Sequence, residues 1–238
     1  MAHIKIATLN INGLSYLTKV AILVEFMRLQ EIDILLVQEV TKPVLHNIYG
    51  YNTHYNIGTT MRGIATRDSV SLENVTMLPS GRAIVAKFRE IWIINLYAPS
   101  GTTRKQDRKK FHNNEVSYIV ATAGDHILLG GYFNCILEPT DATGGYNHRR
   151  ALHELINGLA MVYTWQPNND SRVYTHISAS GASRLYRIYV TKELNSRKWG
   201  VEVVATAFTD HLAVCLDYPR SFQSCGRDVG CGKWTMTY

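Results

Sequence analysis

The sequence predicts an α/β fold, and three observations carry that reading. Of the 238 residues, 46% are hydrophobic and 18% charged, the balance of a compact globule and not of a disordered segment. Short apolar runs alternate with stretches whose apolar residues recur every three or four positions, as strands alternating with helices do. The middle of the chain holds several short extended runs with little helix between them, which suggests an antiparallel meander. A chain of this length can form one large domain or two small ones, and either buries most of its unfolded surface.

Taken in order, His3 to Leu9 (HIKIATL) alternates with period two and suits a strand. Val20, Ala21, Leu23, Val24, Met27 and Leu29 then keep helical spacing, so a helix over Leu17 to Leu29 follows. Ile32 to Val37 (IDILLV) is a second buried strand ending at Gln38-Glu39. The meander comprises Gly63 to Thr66, Val70 to Met77, Ala83 to Phe88 and Ile91 to Leu96. Residues 103 to 121 begin polar and basic and continue as helix, and Ile127 to Leu129 is a third buried strand, with LLGGYFN as strand and turn. Asn147 is expected to cap a helix with the stripe Leu152, Leu155, Ile156 and Leu159. Strands are expected at Val173 to His176, Leu185 to Val190, Val201 to Ala205 and Leu212 to Leu216. The sequence has no internal repeat or low-complexity segment.

The net charge of +6 and a pI near 9.1 favour a polyanionic partner, leaving nucleic acid and anionic membrane both open. No apolar run reaches the length of about 20 residues needed to span a bilayer, and the first residues lack a secretory hydrophobic region. A soluble intracellular protein with no membrane partner is expected. The four cysteines, Cys135, Cys215, Cys225 and Cys231, lack zinc-site spacing and read as reduced thiols.

Polar residues stand at strand ends in five places: Asn10, Glu39, Tyr97, Asn134 and the pair Asp210-His211. In layered α/β folds such ends meet at one edge, where a site can form. Each has a plainer role: Asn10 as a turn residue, Glu39 as a solvated charge, Tyr97 as a strand-end aromatic, Asp210-His211 as a chance neighbour pair. As a set, an acid, two amides, a phenol and an Asp-His pair suit metal-assisted attack on phosphate better than acyl transfer.

The motifs Leu9-Asn10-Ile11-Asn12-Gly13-Leu14, Val37-Gln38-Glu39, Asn95-Leu96-Tyr97-Ala98-Pro99, Gly131-Tyr132-Phe133-Asn134, Ser183-Arg184-Leu185-Tyr186-Arg187-Ile188 and Thr209-Asp210-His211 fall in the order of the endonuclease/exonuclease/phosphatase superfamily. More narrowly, residues 3 to 217 resemble the apurinic-type endonuclease domain of LINE-type (non-LTR) retrotransposons. The stretch Gly230 to Met236 is similar to the one that follows this domain before the reverse transcriptase. The resemblance therefore divides the chain into a domain over 1–217 and a linker-like tail over 218–238.

The resemblance implies a four-layered α/β sandwich of two mixed sheets with helices outside, as in DNase I-like proteins. It implies Mg²⁺ (or Mn²⁺) held by Glu39 with Asn10 and Asp210, Tyr97 on the scissile phosphate, Asn134 positioning phosphate or water, and His211 stabilising charge. Double-stranded DNA would be the substrate, contacted by Asn12, Arg149, Arg150, Arg184 and Arg187. The basic run Arg104, Lys105, Arg108, Lys109 and Lys110 has a solvated helix face as its plainer reading. The target-site nick would prime reverse transcription, with a covalently linked reverse transcriptase and, indirectly, element RNA as partners; the protein would be made in the cytoplasm and act in the nucleus.

One departure stands out against this pattern. Tyrosines occupy three positions where the family has aspartate: Tyr132 in Gly-Asp-Phe-Asn, Tyr186 where the carboxylate that orients the catalytic histidine belongs, and Tyr163 after the helix. A phenol with an ordinary pKa of about 10 is no anionic base at neutral pH, and loss of a general base costs roughly 10²- to 10⁴-fold in rate. Little or no hydrolysis is therefore expected of this copy. The alternatives are a non-catalytic DNA-binding module of the same fold, or a phosphoesterase acting on small or lipid phosphates.

Overall fold

A computed structural model describes residues 3–13, 17–40, 50–56, 61–100, 105–144, 150–165, 173–195 and 200–219. Strand β1 (His3–Asn10) leads through helix α1 (Leu17–Leu29) to β2 (Ile34–Val40), and β3 (Tyr51–Asn56) and β4 (Met61–Arg67) follow. Next come β5 (Glu73–Met77), β6 (Ala83–Phe88) and β7 (Ile91–Tyr97). A helical run then passes from α2 (Lys105–Lys110) through a π-helical segment (Phe111–Val116) to α3 (Ser117–Ala123). Beyond it lie β8 (Ile127–Tyr132), a 3₁₀ turn (Pro139–Asp141), α4 (Arg150–Gly158) and β9 (Met161–Tyr163). The chain continues with β10 (His176–Ser178), β11 (Gly181–Ser183), β12 (Tyr186–Thr191), α5 (Lys192–Asn195), β13 (Gly200–Val204) and β14 (Ala213–Pro219).

Two six-stranded mixed sheets result, in the orders β13-β14-β1-β2-β4-β3 and β5-β6-β7-β8-β12-β9, with β10-β11 as a separate hairpin. The β1/β2 and β7/β8 pairs are parallel, and each is joined through a helix. Both faces of the central strands are covered, which is why ILLV and ILL read as continuous apolar runs. Ile6, Leu36, Ile93, Leu128 and Ile188 point between the sheets into one core. Ala7, Leu9 and Leu35 pack outward with Leu23 and Met27 of α1, and Ile94, Leu129 and Tyr189 pack outward with Ile119, Leu152 and Leu155. Helix, sheet, sheet and helix thus form the expected four layers.

Two features tie the sheets together near one edge. Gly130 lets Leu36 of the facing sheet approach so closely that a Cβ there would lie 2.6 Å from Leu36 Cδ1. Gln38, fully buried, donates from Nε2 to Asn95 Oδ1 at 2.7 Å and to Thr8 Oγ1 at 3.1 Å. Asn95 Nδ2 in turn donates to the Val37 and Gly63 carbonyls at 3.0 and 2.9 Å. Gln38 Oε1 has no hydrogen-bond partner among the described residues, but the remaining amide groups are paired as buried polar groups require, and the bridge ties β2 to β7.

The structure departs from the sequence reading at several points. Gly130, Gly131 and Tyr132 belong to β8 and not to a turn. The strand expected at Val173 to His176 is His176–Ser178, and β3, β9 and β11 are additional. The helix expected to be capped by Asn147 begins, within the described residues, at Arg150; Asn147, the Cys225 and Cys231 thiols and the tail beyond Pro219 lie outside them. Cys135 and Cys215 are buried and not disulfide-bonded. No helix among the described residues is long and apolar enough to cross a membrane.

Candidate active site

Five strands bring residues to one edge of the sandwich. Asn10 ends β1, Tyr97 ends β7 and Tyr132 ends β8. Because β12 runs antiparallel to β8, its first residue, Tyr186, arrives at the same edge in register with Tyr132. Glu39 is delivered by an irregularity in the β2/β4 pairing between Val37 and Val40 and has φ 60°. Asn12 and Asn134 also have positive φ, 47° and 52°. Left-handed backbone at a non-glycine residue costs about 1–3 kcal/mol and persists where surrounding structure holds it; three such residues border one site.

Glu39 is the hub of the polar contacts. Its Oε1 accepts from Asn10 Nδ2 at 2.7 Å and from the Tyr97 hydroxyl at 2.8 Å. Asn10 Oδ1 accepts from the Asn12 backbone at 2.8 Å, which fixes the orientation of the amide from both ends. Asn12 Nδ2 reaches across to Asp210 Oδ1 at 3.2 Å. Asn134 Nδ2 donates to the Ala98 carbonyl at 2.6 Å. Burial and the neighbouring Glu39 carboxylate hold the Tyr97 phenol above its ordinary pKa.

Tyr97, Tyr132 and Tyr186 lie side by side on β7, β8 and β12. The Tyr132 and Tyr186 rings stack at 4.7 Å and 24°, and Tyr97 packs on Tyr132 at 5.4 Å. Tyr132 is 8% exposed and Tyr186 fully buried, and both join the core between the sheets. Burial, reinforced by neighbouring ionisable groups, raises both phenols. A neutral phenol cannot take a proton from water, so neither replaces a carboxylate. Tyr163 is elsewhere: it packs on Tyr189 at 5.4 Å on the outer face of the second sheet.

His211 abuts this ring stack edge-on, 5.3 Å from Tyr186 and 5.7 Å from Tyr132. Its Nδ1 is buried without a hydrogen bond, and so is the Tyr186 hydroxyl. Burial pushes the imidazole down to about 4, against the opposing pull of Asp210, so His211 is neutral at pH 7. Asp210 lies 3.5 Å from His211 Nε2; burial raises it, but His211, His176 and the Asn12 hydrogen bond outweigh that and leave its carboxyl below the usual range.

Two neighbours went unseen in the sequence. Arg62 is buried with its guanidinium 4.8 Å over the Tyr97 ring and bonded to the Gly81 carbonyl. Burial, with Arg82 nearby, lowers it to about 10. An arginine inside an apolar strand was the available signal. His176 stands beside Asp210 and His211, and only strand pairing across 35 residues of sequence brings it there.

The DNA-contact expectation needs correction. Arg184 and Arg187 are 5% and 1% exposed, and both bond to the buried Asp141 carboxylate, at 3.0 and 2.7 Å. Arg108 is likewise buried and donates to the Pro99 carbonyl. Guanidiniums spent on internal acceptors cannot neutralise phosphate. Lys109, Lys110 and Asn12 are exposed, while Arg104 and Arg149 lie outside the described residues and Arg150 is described only as the first residue of α4.

As a holder of a hard cation the Glu39 corner fits poorly. Mg²⁺ needs oxygen ligands in near-ideal octahedral geometry. Here Asn10 turns its nitrogen to Glu39 and its oxygen to backbone, Glu39 Oε1 already accepts two hydrogen bonds, and a phenol ring fills the β8 end. Exposed Asn12 and neutral His211 remain as donors for an oxyanion, with no ionised base beside them from β8 or β12.

A model of the Endonuclease/Exonuclease/phosphatase family matches residues 7–211. The chain is 26% identical over 236 residues to the transposon TX1 uncharacterized 149 kDa protein of Xenopus laevis; the match covers 90% of this chain and 18% of that much longer protein. Among solved structures, an AP endonuclease from Archaeoglobus fulgidus superposes with a TM-score of 0.76 at 21% identity, over 90% of this chain and 99% of that one. The 3′ phosphatase NExo from Neisseria, bound to a product DNA hairpin, superposes with a TM-score of 0.76 at 17% identity, over 90% and 99%. With the layered fold and the ordered strand-end residues, the family match decides the assignment: the chain belongs to the endonuclease/exonuclease/phosphatase family.

Proposed function

We propose that this chain is the DNA-nicking domain of a LINE-type retrotransposon whose hydrolytic step is disabled by Tyr132 and Tyr186. One observation carries the proposal: the two phenols stack at 4.7 Å beside His211, filling positions where the family resemblance expects carboxylates. The relation to a transposon protein supports the element, and the bound hairpin in a structural neighbour supports DNA as the partner. The longer polypeptide would supply the reverse transcriptase, with element RNA reached through it, and the site of action would be nuclear.

The family generally depends on a divalent cation, a role for which the Glu39 corner of this chain is poorly fitted, with Glu39 Oε1 already accepting two hydrogen bonds and a phenol at the β8 end. The chain's own residues would do the remaining work. Tyr97 would hold the Glu39 carboxylate through its hydroxyl, and Asn134 and neutral His211 would donate to the phosphate. No carboxylate on β8 or β12 activates water. DNA affinity, which comes largely from Lys and Arg on phosphate, survives such losses.

The test is a supercoiled plasmid incubated with Mg²⁺ or Mn²⁺ and either the parent chain or the Tyr132→Asp/Tyr186→Asp revertant. Nicking by the revertant alone is expected. If the folded revertant fails to nick, the nuclease assignment is wrong; if the parent nicks equally well, the account of its inactivity is wrong. Cleavage of small phosphoesters without nicking would mark the phosphoesterase reading instead.

A further inference from the structure

We propose that His176, Asp210 and His211 form a binding site for a borderline first-row divalent ion, Zn²⁺ or Co²⁺, beside Glu39 and including Asp210, which the family resemblance assigns to Mg²⁺. The donor atoms of the three side chains all lie within 4.8 Å of one another. Asp210 presents one oxygen to each imidazole: Oδ2 is 3.5 Å from His176 Nε2 and Oδ1 is 3.5 Å from His211 Nε2. Tetrahedral ligands with bonds of about 2.0–2.1 Å stand roughly 3.3 Å apart, so with either oxygen as the ligand one imidazole nitrogen is within a few tenths of an ångström of that spacing and the other must close in from within 4.8 Å. The two imidazoles must close further, and their rings, 4.6 Å apart at 33°, already lie alongside each other.

The backbone beneath the cluster is preset. His176 and His211 face each other across an antiparallel bridge, flanked by Ile177 N donating to the Asp210 carbonyl at 3.2 Å and Leu212 N donating to the Thr175 carbonyl at 2.9 Å. The carboxylate is held from behind by Asn12 Nδ2 at 3.2 Å. Outer hydrogen bonds of this kind fix a ligand's orientation and strengthen metal binding. Two imidazole nitrogens and one carboxylate oxygen select Zn²⁺ or Co²⁺ over Mg²⁺, which prefers oxygen alone. Three protein ligands also leave a fourth position for water or a phosphate oxygen. Occupancy would tie up His211 Nε2 and so set aside the residue that faces the phosphate.

This inference stands independently of DNA nicking. The metal-free chain is titrated with Co²⁺, followed by visible absorption and calorimetry, then challenged with Zn²⁺ or excess Mg²⁺. One equivalent of Co²⁺ is expected to give tetrahedral ligand-field bands that Zn²⁺ abolishes and Mg²⁺ leaves intact. His176→Ala should weaken the affinity by more than about 100-fold, beyond the cost of losing an outer-shell partner. Asp210→Asn, which keeps the side chain's shape, should do the same, and circular dichroism checks that each variant is folded. Unchanged affinity in either folded variant, absence of the bands in the parent, or displacement by Mg²⁺ would overturn the proposal.

Discussion

Replacing Asp141 with Ala should cost this protein a large part of its stability and leave the proposed duplex affinity unchanged. The carboxylate is 3% exposed and lies between two buried guanidiniums, Arg184 at 3.0 Å and Arg187 at 2.7 Å. Its Oδ2 also accepts the backbone N–H groups of Leu137 and Glu138 at 2.9 and 3.1 Å. The variant would bury two cations with no counter-charge. Removing one partner of a single buried pair costs about 3–5 kcal/mol, so the upper end applies here, against a total stability of roughly 5–15 kcal/mol. At about 2–4 °C per kcal/mol for a domain of this size, the melting temperature should fall by roughly 10–20 °C, as read by circular dichroism. Arg187→Met leaves Asp141 paired with Arg184 and should lose less. Duplex affinity and its salt slope, measured where each variant is folded, should match the parent. A drop below about 4 °C for Asp141→Ala would refute the buried-network argument. A shallower salt slope for Arg187→Met at unchanged stability would return that arginine to the DNA surface.

Acid should destabilise the fold before it protonates most carboxylates. His112 is 2% exposed, and burial, with Arg108 adjacent, pushes it down to about 4. A histidine that titrates near 6.5 when unfolded and near 4 when folded favours unfolding as the pH falls. Its contribution is complete above about 6.5 and is lost towards 4, amounting to roughly 3 kcal/mol. Urea midpoints should drop over that window, His211 adding to the fall, and His112→Phe should flatten the profile; an equally steep profile in that variant would count against it. Gly131→Ala should fail to fold stably, since φ is +137° and a Cβ would sit 2.0 Å from the Leu96 carbonyl oxygen. Gly144→Ala, with nothing within 4 Å, should be neutral by thermal melting. Equal melting temperatures for the two would refute the close-approach argument.

What the sequence shows and what it hides divides along a physical line. Strands covered on both faces show as short, mostly apolar runs, so β2, β6, β7 and β8 are legible, and β1 is legible from its period-two alternation. Polar residues directly after such runs are equally visible, and Asn10, Glu39, Tyr97, Asp210 and His211 do meet at one edge. Strand β3 (YNTHYN) is invisible because its polar side chains carry no core signal and its conformation comes from pairing with β4. Arg184 and Arg187 read as surface cations because nothing local reveals Asp141, more than 40 residues earlier, as their acceptor. His176 is hidden for the same reason: its register against His211 is a property of the folded chain.

The tyrosine pair ties the stability of the fold to the proposed loss of hydrolysis in a way that sequence alone does not expose. Tyr132 and Tyr186 extend the apolar core between the sheets to its edge, where two aspartates would stand next to Glu39 and Asp210. Truncating a buried aromatic costs about 3–5 kcal/mol, and clustered carboxylates in a poorly solvated site repel one another. The Tyr132→Asp/Tyr186→Asp revertant should therefore be marginal in chelator, well below the parent in melting temperature. A cation that binds only the folded state restores about 2.7 kcal/mol at 100 times its dissociation constant, so Mn²⁺ or Mg²⁺ should raise the revertant's melting point. The parent, with phenols at those two positions, should not respond to Mg²⁺. A revertant as stable as the parent in chelator would mean that the rings contribute no packing. A parent stabilised by Mg²⁺ would mean that the Glu39 corner still holds a hard cation. Neither result is expected, because the two rings fill the edge of the core between the sheets and leave Glu39 with no carboxylate from β8 or β12 beside it.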